Sequence, residues 1–199
     1  MNGSVLSAFF ACALTGVAFA GPRVRVAEEV RAAFASVAES AGVESNVTSI
    51  SFPPQPARFI RLEIRATQGG AACLDELEVF GPDARENLAL ASRGAKAAAS
   101  SVISGYAIHA VAHLNDGRFG NSHSWIAAGT GEEWAQIELP CEAAVCRLVY
   151  SRDRTGRFRD RQPQDVDVRV SADGKAWTTV AHHSRPPRAQ LSLDRKSVV

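Results

Sequence analysis

The chain has 199 residues, 46% of them hydrophobic and 22% charged, with a formal net charge of +1. This composition excludes a disordered or low-complexity chain and bounds the answer at one globular domain plus extensions. The near-neutral balance removes any general reason to expect nucleic acid or an anionic membrane surface as a partner.

Residues 1–20, MNGSVLSAFFACALTGVAFA, carry no charge and end in Ala18-Phe19-Ala20. An apolar stretch before a small-x-small motif predicts a secretory signal cleaved after Ala20, and hence a secreted or extracytoplasmic protein. A buried N-terminal helix is the alternative, because the segment lacks the usual leading Lys or Arg. Val5 to Ala20 is short for a membrane span, which takes about 20 apolar residues. Residues 21–46 are Ala- and Glu-rich, with Val30, Phe34 and Val37 at helical spacing before Gly42. They read as a short helix or linker.

From Val47 the period becomes two. VTSISF is followed by Pro53, Pro54 and Pro56 and then by ARFIRLEI, in which Ile60, Leu62 and Ile64 face one way and Arg61 and Glu63 the other. After the turn-like TQGGAA, CLDELEVFG is again strand-like and stops at Gly81-Pro82-Asp83. WAQIELP (134–140) and VCRLVYS (145–151) repeat the pattern. In DVDVRVSADGKAWTTVA, Val166, Val168 and Val170 point inward and Asp165, Asp167 and Arg169 outward, and Asp173-Gly174 turns the chain back as a hairpin. Short strands without a long amphipathic helix predict an all-β, two-layer antiparallel sandwich. Trp125, Trp134 and Trp177 sit inside these strand patterns and read as core.

Removal of a signal would take Cys12 with it and leave Cys73, Cys141 and Cys146. In an oxidising compartment Cys141 and Cys146 could close a small loop between two strands; three reduced, mostly buried thiols are the alternative. The terminal DRKSVV, 194–199, matches the translation of a common sequencing adapter and reads as an artefact outside the fold. The natural chain would then continue past Leu193, towards a downstream domain.

Four stretches, in order, carry a resemblance to a known family. They are NLALASRGAKAAASS (87–101), HLNDGRFGNSHSW (113–125), EWAQIELPCEAAVCRLVY (133–150) and DVDVRVSADGKAWTTVA (165–181). Together they resemble the coagulation factor 5/8 type C, or discoidin, domain, whose fold is a galactose-binding-like jelly roll. ARFIRLEIRATQGGAACLDELEVFG resembles the closing strands of that family, yet here it precedes the opening segment. Circular permutation accounts for this: residues 47–81 supply the closing strands and 87–181 the main body of one sandwich spanning 47–193. The termini of compact domains commonly lie close together, so the rearrangement is sterically mild. The alternative, the tail of an upstream copy, lacks room between Ala20 and Val47.

The resemblance also implies a structural Ca²⁺, with Asp116 as loop carboxylate, Glu76 as strand ligand and Ser122 near the Thr position of the family. Such a hard cation takes about 6–8 oxygens. The spacing from Asp116 to Trp125 is longer than in the family, and an Asx-turn at Asp116 with positive φ at Gly117 is the reading without metal. His109 and His113, four apart, lack a third ligand at suitable spacing and read as loop histidines.

SRDRTGRFRDR (151–161) sets Arg152, Arg154, Arg157, Arg159 and Arg161 against Asp153 and Asp160. This is either a solvated loop with internal ion pairs or a bidentate grip on carboxylate or sulfate. Discoidin-like modules bind ligands on loops at one end of the sandwich, so Tyr106, His109, Arg154 and Arg157 are the expected ligand-binding residues. With no nucleophile–base motif in the sequence, the expected function is a non-catalytic module for glycan or cell-surface carbohydrate. An adhesion domain with a protein partner is the alternative. Lipid binding ranks behind both, with Tyr106, Phe119 and Phe158 as its few apolar candidates.

Overall fold

The computed structural model describes residues 46–185. The expected signal segment (1–20), nearly all of the expected helix or linker (21–45) and the terminal 194–199 lie outside the described residues. The fold is all-β, as the alternation predicts. Its strands are β1 (Val47–Thr67), β2 (Cys73–Leu74), β3 (Glu76–Phe80), β4 (Lys96–Ala99), β5 (Trp125–Ile126), β6 (Glu133–Ser151), β7 (Pro163–Ser171) and β8 (Thr178–Ser184). Six of them form one antiparallel sheet in the order β3-β6-β1-β7-β8, with β4 also on β6; β2 and β5 form a two-stranded ribbon. No helix among the described residues is long and apolar enough to cross a membrane.

The period of two does the work foreseen for it. Ile60 stands between Ile137 and Val170, and Leu62 between Ala135 and Val168, in rows that run across the sheet. All six of these side chains are buried. Each large aliphatic so placed contributes about 1.5–3 kcal/mol. Asp173-Gly174 closes the β7–β8 hairpin: Gly174 has φ 74°, and the Asp173 carboxylate accepts the amides of Lys175 and Ala176 at 2.8 and 2.9 Å.

Three details depart from the local reading. The prolines do not end a strand. β1 runs through Pro53, Pro54 and Pro56, and its register with β6 shifts between Ser51 and Gln55, so Pro53 and Pro54, which lack N–H groups, fall where the ladder makes no demand on them. Likewise 134–140 and 145–151 belong to one strand, β6, with a second irregularity opposite Arg58. Cys141 and Cys146 therefore stand on one strand rather than two. No disulfide joins them.

Two expectations about facing also change. Asp167 is buried rather than outward. Burial opposes its charge, but hydrogen bonds from His182 and Arg65, and their positive charge, hold its carboxyl below the usual range. Of the three tryptophans only Trp125 is in the core. Trp134 and Trp177 are half-buried, and the Arg61 guanidinium lies between them, 4.3 and 4.1 Å from their ring centroids.

Candidate functional site

CLDELEVFG does not form one strand. Cys73 and Leu74 pair with β5, whereas Glu76 to Phe80 pair with β6. Asp75 sits at the break. It is fully buried, and its carboxylate accepts the amides of Gly120 (2.7 Å) and Arg154 (2.8 Å) as well as the Ser151 hydroxyl. One side chain at the sheet switch thus holds two loops, 115–124 and 152–162.

Further buried polar groups join the same loops. The Arg152 guanidinium, whose side chain is 3% exposed, donates to the Asp160 carbonyl and carboxylate and to Oδ1 of Asn121. Asn46 donates to the carbonyls of Asp153 (2.9 Å) and Phe158 (2.8 Å) and accepts from Gln162. Asp153, at φ 65°, accepts the amides of Thr155 and Phe158 and the Thr155 hydroxyl. Preorganisation of this kind lowers the entropy lost when a loop binds a ligand.

Between the loops lies a cleft of about 340 Å³, walled by Phe119, Gly120, Asn121 and Ser122 on one side and by Asp153, Thr155, Arg157 and Phe158 on the other. Phe119 and Phe158 are 39% and 36% exposed. The Arg157 guanidinium lies 5.4 Å from the Phe158 ring centroid. Apolar rings beside a few fixed polar groups are the usual lining of a small-ligand site. A second cleft of about 280 Å³ is bordered by Glu63, Ile64, Arg65, Glu132, Glu133 and Trp134. Most of its charges are already committed: Glu63 to Arg169, Arg65 to Asp167, and Glu133 to Ser100 and Ser101.

The residues expected from sequence are distributed as follows. Arg157 lines the first cleft. Arg154 is committed elsewhere: it pairs with Glu78 and stacks over Phe119 at 4.1 Å. Arg152 and Arg161 both pair with Asp160, so internal ion pairs absorb much of the arginine run. His109 is buried, with Nδ1 2.9 Å from the Ser124 hydroxyl. Burial, aided by the nearby Arg152 charge, lowers its pKa and keeps the ring neutral. Tyr106 is exposed, with its ring 6.1 Å from that of His109; neither is among the residues that border the cleft.

Glu76 and Asp116 converge although they are distant in sequence. Gly117, at φ 76°, donates its amide to the Glu76 carboxylate across 41 positions, at 3.2 and 3.3 Å to the two oxygens. Burial pushes the Glu76 carboxyl up to about 9; the Gly117 hydrogen bond opposes this and Asp116 adds to it. Asp116 makes the Asx-turn, accepting the Arg118 amide at 2.8 Å. Ser122 borders the cleft, and no contact among the described residues joins it to either carboxylate. Calcium wants an oxygen cage. The other neighbours of Asp116 include imidazoles, a donor type that suits zinc and its relatives better.

Cys73, fully buried beside this network, has its thiol pushed up to about 11 by burial, against the opposing influence of Arg152 and a hydrogen bond with Ser124. A thiol so protonated is a poor nucleophile. Sequence reasoning overlooked Asp75, Arg152 and Asn121 as builders of the site. Their one local signal was polarity inside or beside strand patterns. No family model, curated protein or solved structure matches the chain.

Proposed function

We propose that residues 46–185 form a non-catalytic carbohydrate-binding module of an exported protein, with the cleft between Phe119 and Phe158 as its site. The observation that carries this reading is two exposed phenylalanine rings flanking polar side chains on loops fastened to the sheet by Asp75, Arg152 and Asn46. Aromatic faces cover the apolar face of a sugar ring, while Asn121, Thr155 and Arg157 offer hydrogen bonds to hydroxyl or acidic substituents. Asp153, the carboxylate of the cleft, is taken up by the Thr155 and Phe158 amides, which favours binding over general-base chemistry.

The finer architecture we propose is a permuted discoidin-like jelly roll. In its favour, β1 and β3, from the segment resembling the closing strands, pair with β6 and β7 of the main body. A second reading, adhesion to a protein, draws on Val102, Tyr106 and Ile108, which are 42%, 58% and 48% exposed within seven residues.

The test is a glycan array followed by titration of the best glycan into the wild type, Phe158→Ala and Arg157→Ala. Losing an aromatic platform or a charge-assisted hydrogen bond costs about 1.5–3 kcal/mol, so each variant should bind roughly tenfold or more weakly. Salt should weaken an acidic glycan through Arg157 and leave a neutral one unchanged. Absence of glycan binding, or equal affinity in both variants, rejects the reading. Loss of protein or cell attachment on Tyr106→Ala, with Phe158→Ala neutral, selects adhesion instead.

A further inference from the structure

On either side of the Phe119–Ser122 stretch that lines the cleft, His113, Asp116 and His123 bring one ligand atom each to within 4.8 Å of one another. His113 sits in the middle of the 3-10 helix Val111–Asn115, Asp116 begins the Asx-turn that follows, and His123 ends the loop seven residues later. The spacing is local, yet the three meet only because the loop doubles back. Its return is fixed by the Gly120 amide on Asp75 and by the Ser124 hydroxyl, which donates to the Asn121 carbonyl at 2.9 Å.

A second observation concerns the imidazoles. Nδ1 of His113 and Nδ1 of His123 are both shielded from solvent, and neither has a hydrogen-bond partner. A buried ring nitrogen without a partner is costly, and such groups are rare in folded proteins unless something else satisfies them. The two rings lie 5.2 Å apart, centroid to centroid. His123 Nδ1 stands 3.4 Å from Oδ2 of Asp116, too long for a good hydrogen bond. It is close to the roughly 3.3 Å that separates two ligands of a tetrahedral ion with metal–ligand bonds of about 2.0 Å. Of the other histidines, His109 is held by Ser124 and His182 by Asp167; His183 Nε2 is also buried without a partner, but it belongs to no such cluster among the described residues.

We propose that His113, Asp116 and His123 form a binding site for a divalent transition metal of the zinc class. Two imidazoles and one carboxylate are a borderline donor set, suited to Zn²⁺ and poor for Ca²⁺. The side chains of His123 and Asp116 are 32% and 23% exposed, so an ion can reach the cluster from solvent. Bound metal would tie the start of the loop to its end and so brace the Phe119–Ser122 wall of the cleft. The site stands independently of what the cleft binds.

The test uses the full chain, stripped with chelator and desalted, in a His182→Ala/His183→Ala background that removes the adjacent histidines of β8. ZnCl₂ is titrated by calorimetry, and CoCl₂ is added separately to read visible d–d absorption. The expected result is one zinc per chain, four-coordinate Co²⁺ bands, and at least a tenfold weaker zinc affinity in both His113→Ala and His123→Ala. Zinc should raise the melting temperature of the parent and leave that of either variant unmoved, while all three melt alike in chelator. CaCl₂ at the same concentration should produce neither heat nor a shift. Zinc uptake unchanged by the two substitutions, no zinc uptake at all, or a calcium response without a zinc response overturns the proposal.

Discussion

Replacing Asp75 with Ala probes how the site is assembled. Its carboxylate accepts the Gly120 and Arg154 amides at 2.7 and 2.8 Å and the Ser151 hydroxyl. Hydrogen bonds to a charged partner are worth about 1.5–3 kcal/mol each. The two backbone bonds alone therefore set a scale of roughly 3–6 kcal/mol. Deleting the carboxylate also removes the cost of burying its charge, which moves the expected net loss to about 3 kcal/mol. A domain with a typical stability of about 5–15 kcal/mol survives that loss. Urea unfolding should show a lower midpoint with an unchanged slope, the sign that stability and not compactness has altered. Hydrogen exchange should show the amides of Gly120 and Arg154 losing protection ahead of those in β1 and β7. A midpoint shift worth less than about 0.5 kcal/mol, with both amides still protected, would refute the claim that Asp75 ties the two loops to the sheet.

Glu76 gives a pH prediction. Its carboxyl is pushed up to about 9 from an ordinary 4.5, so the folded state holds a proton that the unfolded state has released. The associated stability is fully present below about 4.5 and is lost as pH rises toward 9. Between pH 4.5 and 7, at about 1.4 kcal/mol per pH unit, this amounts to as much as roughly 3 kcal/mol. In chelator, Glu76→Gln should gain on the wild type by up to that amount over this range; parallel pH profiles from denaturant melts would contradict it. Leu62→Ala removes a fully buried side chain in the row between Ala135 and Val168. Alanine opposite leaves little to refill the space, so a loss of about 3 kcal/mol is expected, and a thermal melt within error of the wild type would show that the row is loosely packed.

Alternation along single segments was enough to place Ile60, Leu62 and Ile64 on one face of their strand, Val166, Val168 and Val170 on one face of theirs, and a turn at Asp173-Gly174. Those features depend on the side-chain period of an extended backbone and on one residue tolerant of positive φ, both of which are written in neighbouring positions. Tertiary pairing decided the rest. Whether Pro53 and Pro54 end β1 depends on the register of β6 opposite them, more than eighty residues away. Whether Asp75 is a strand residue or a sheet switch depends on β5 and β6 competing for its two sides. Phe119 and Phe158 share a cleft because Asp75 and Arg152 hold both loops, and Glu76 reaches Gly117 because β3 lies beneath that loop. A polar residue in a strand pattern looks the same in sequence whether it meets solvent or a distant amide. Only the three-dimensional pairing supplies the partner that makes burying it favourable.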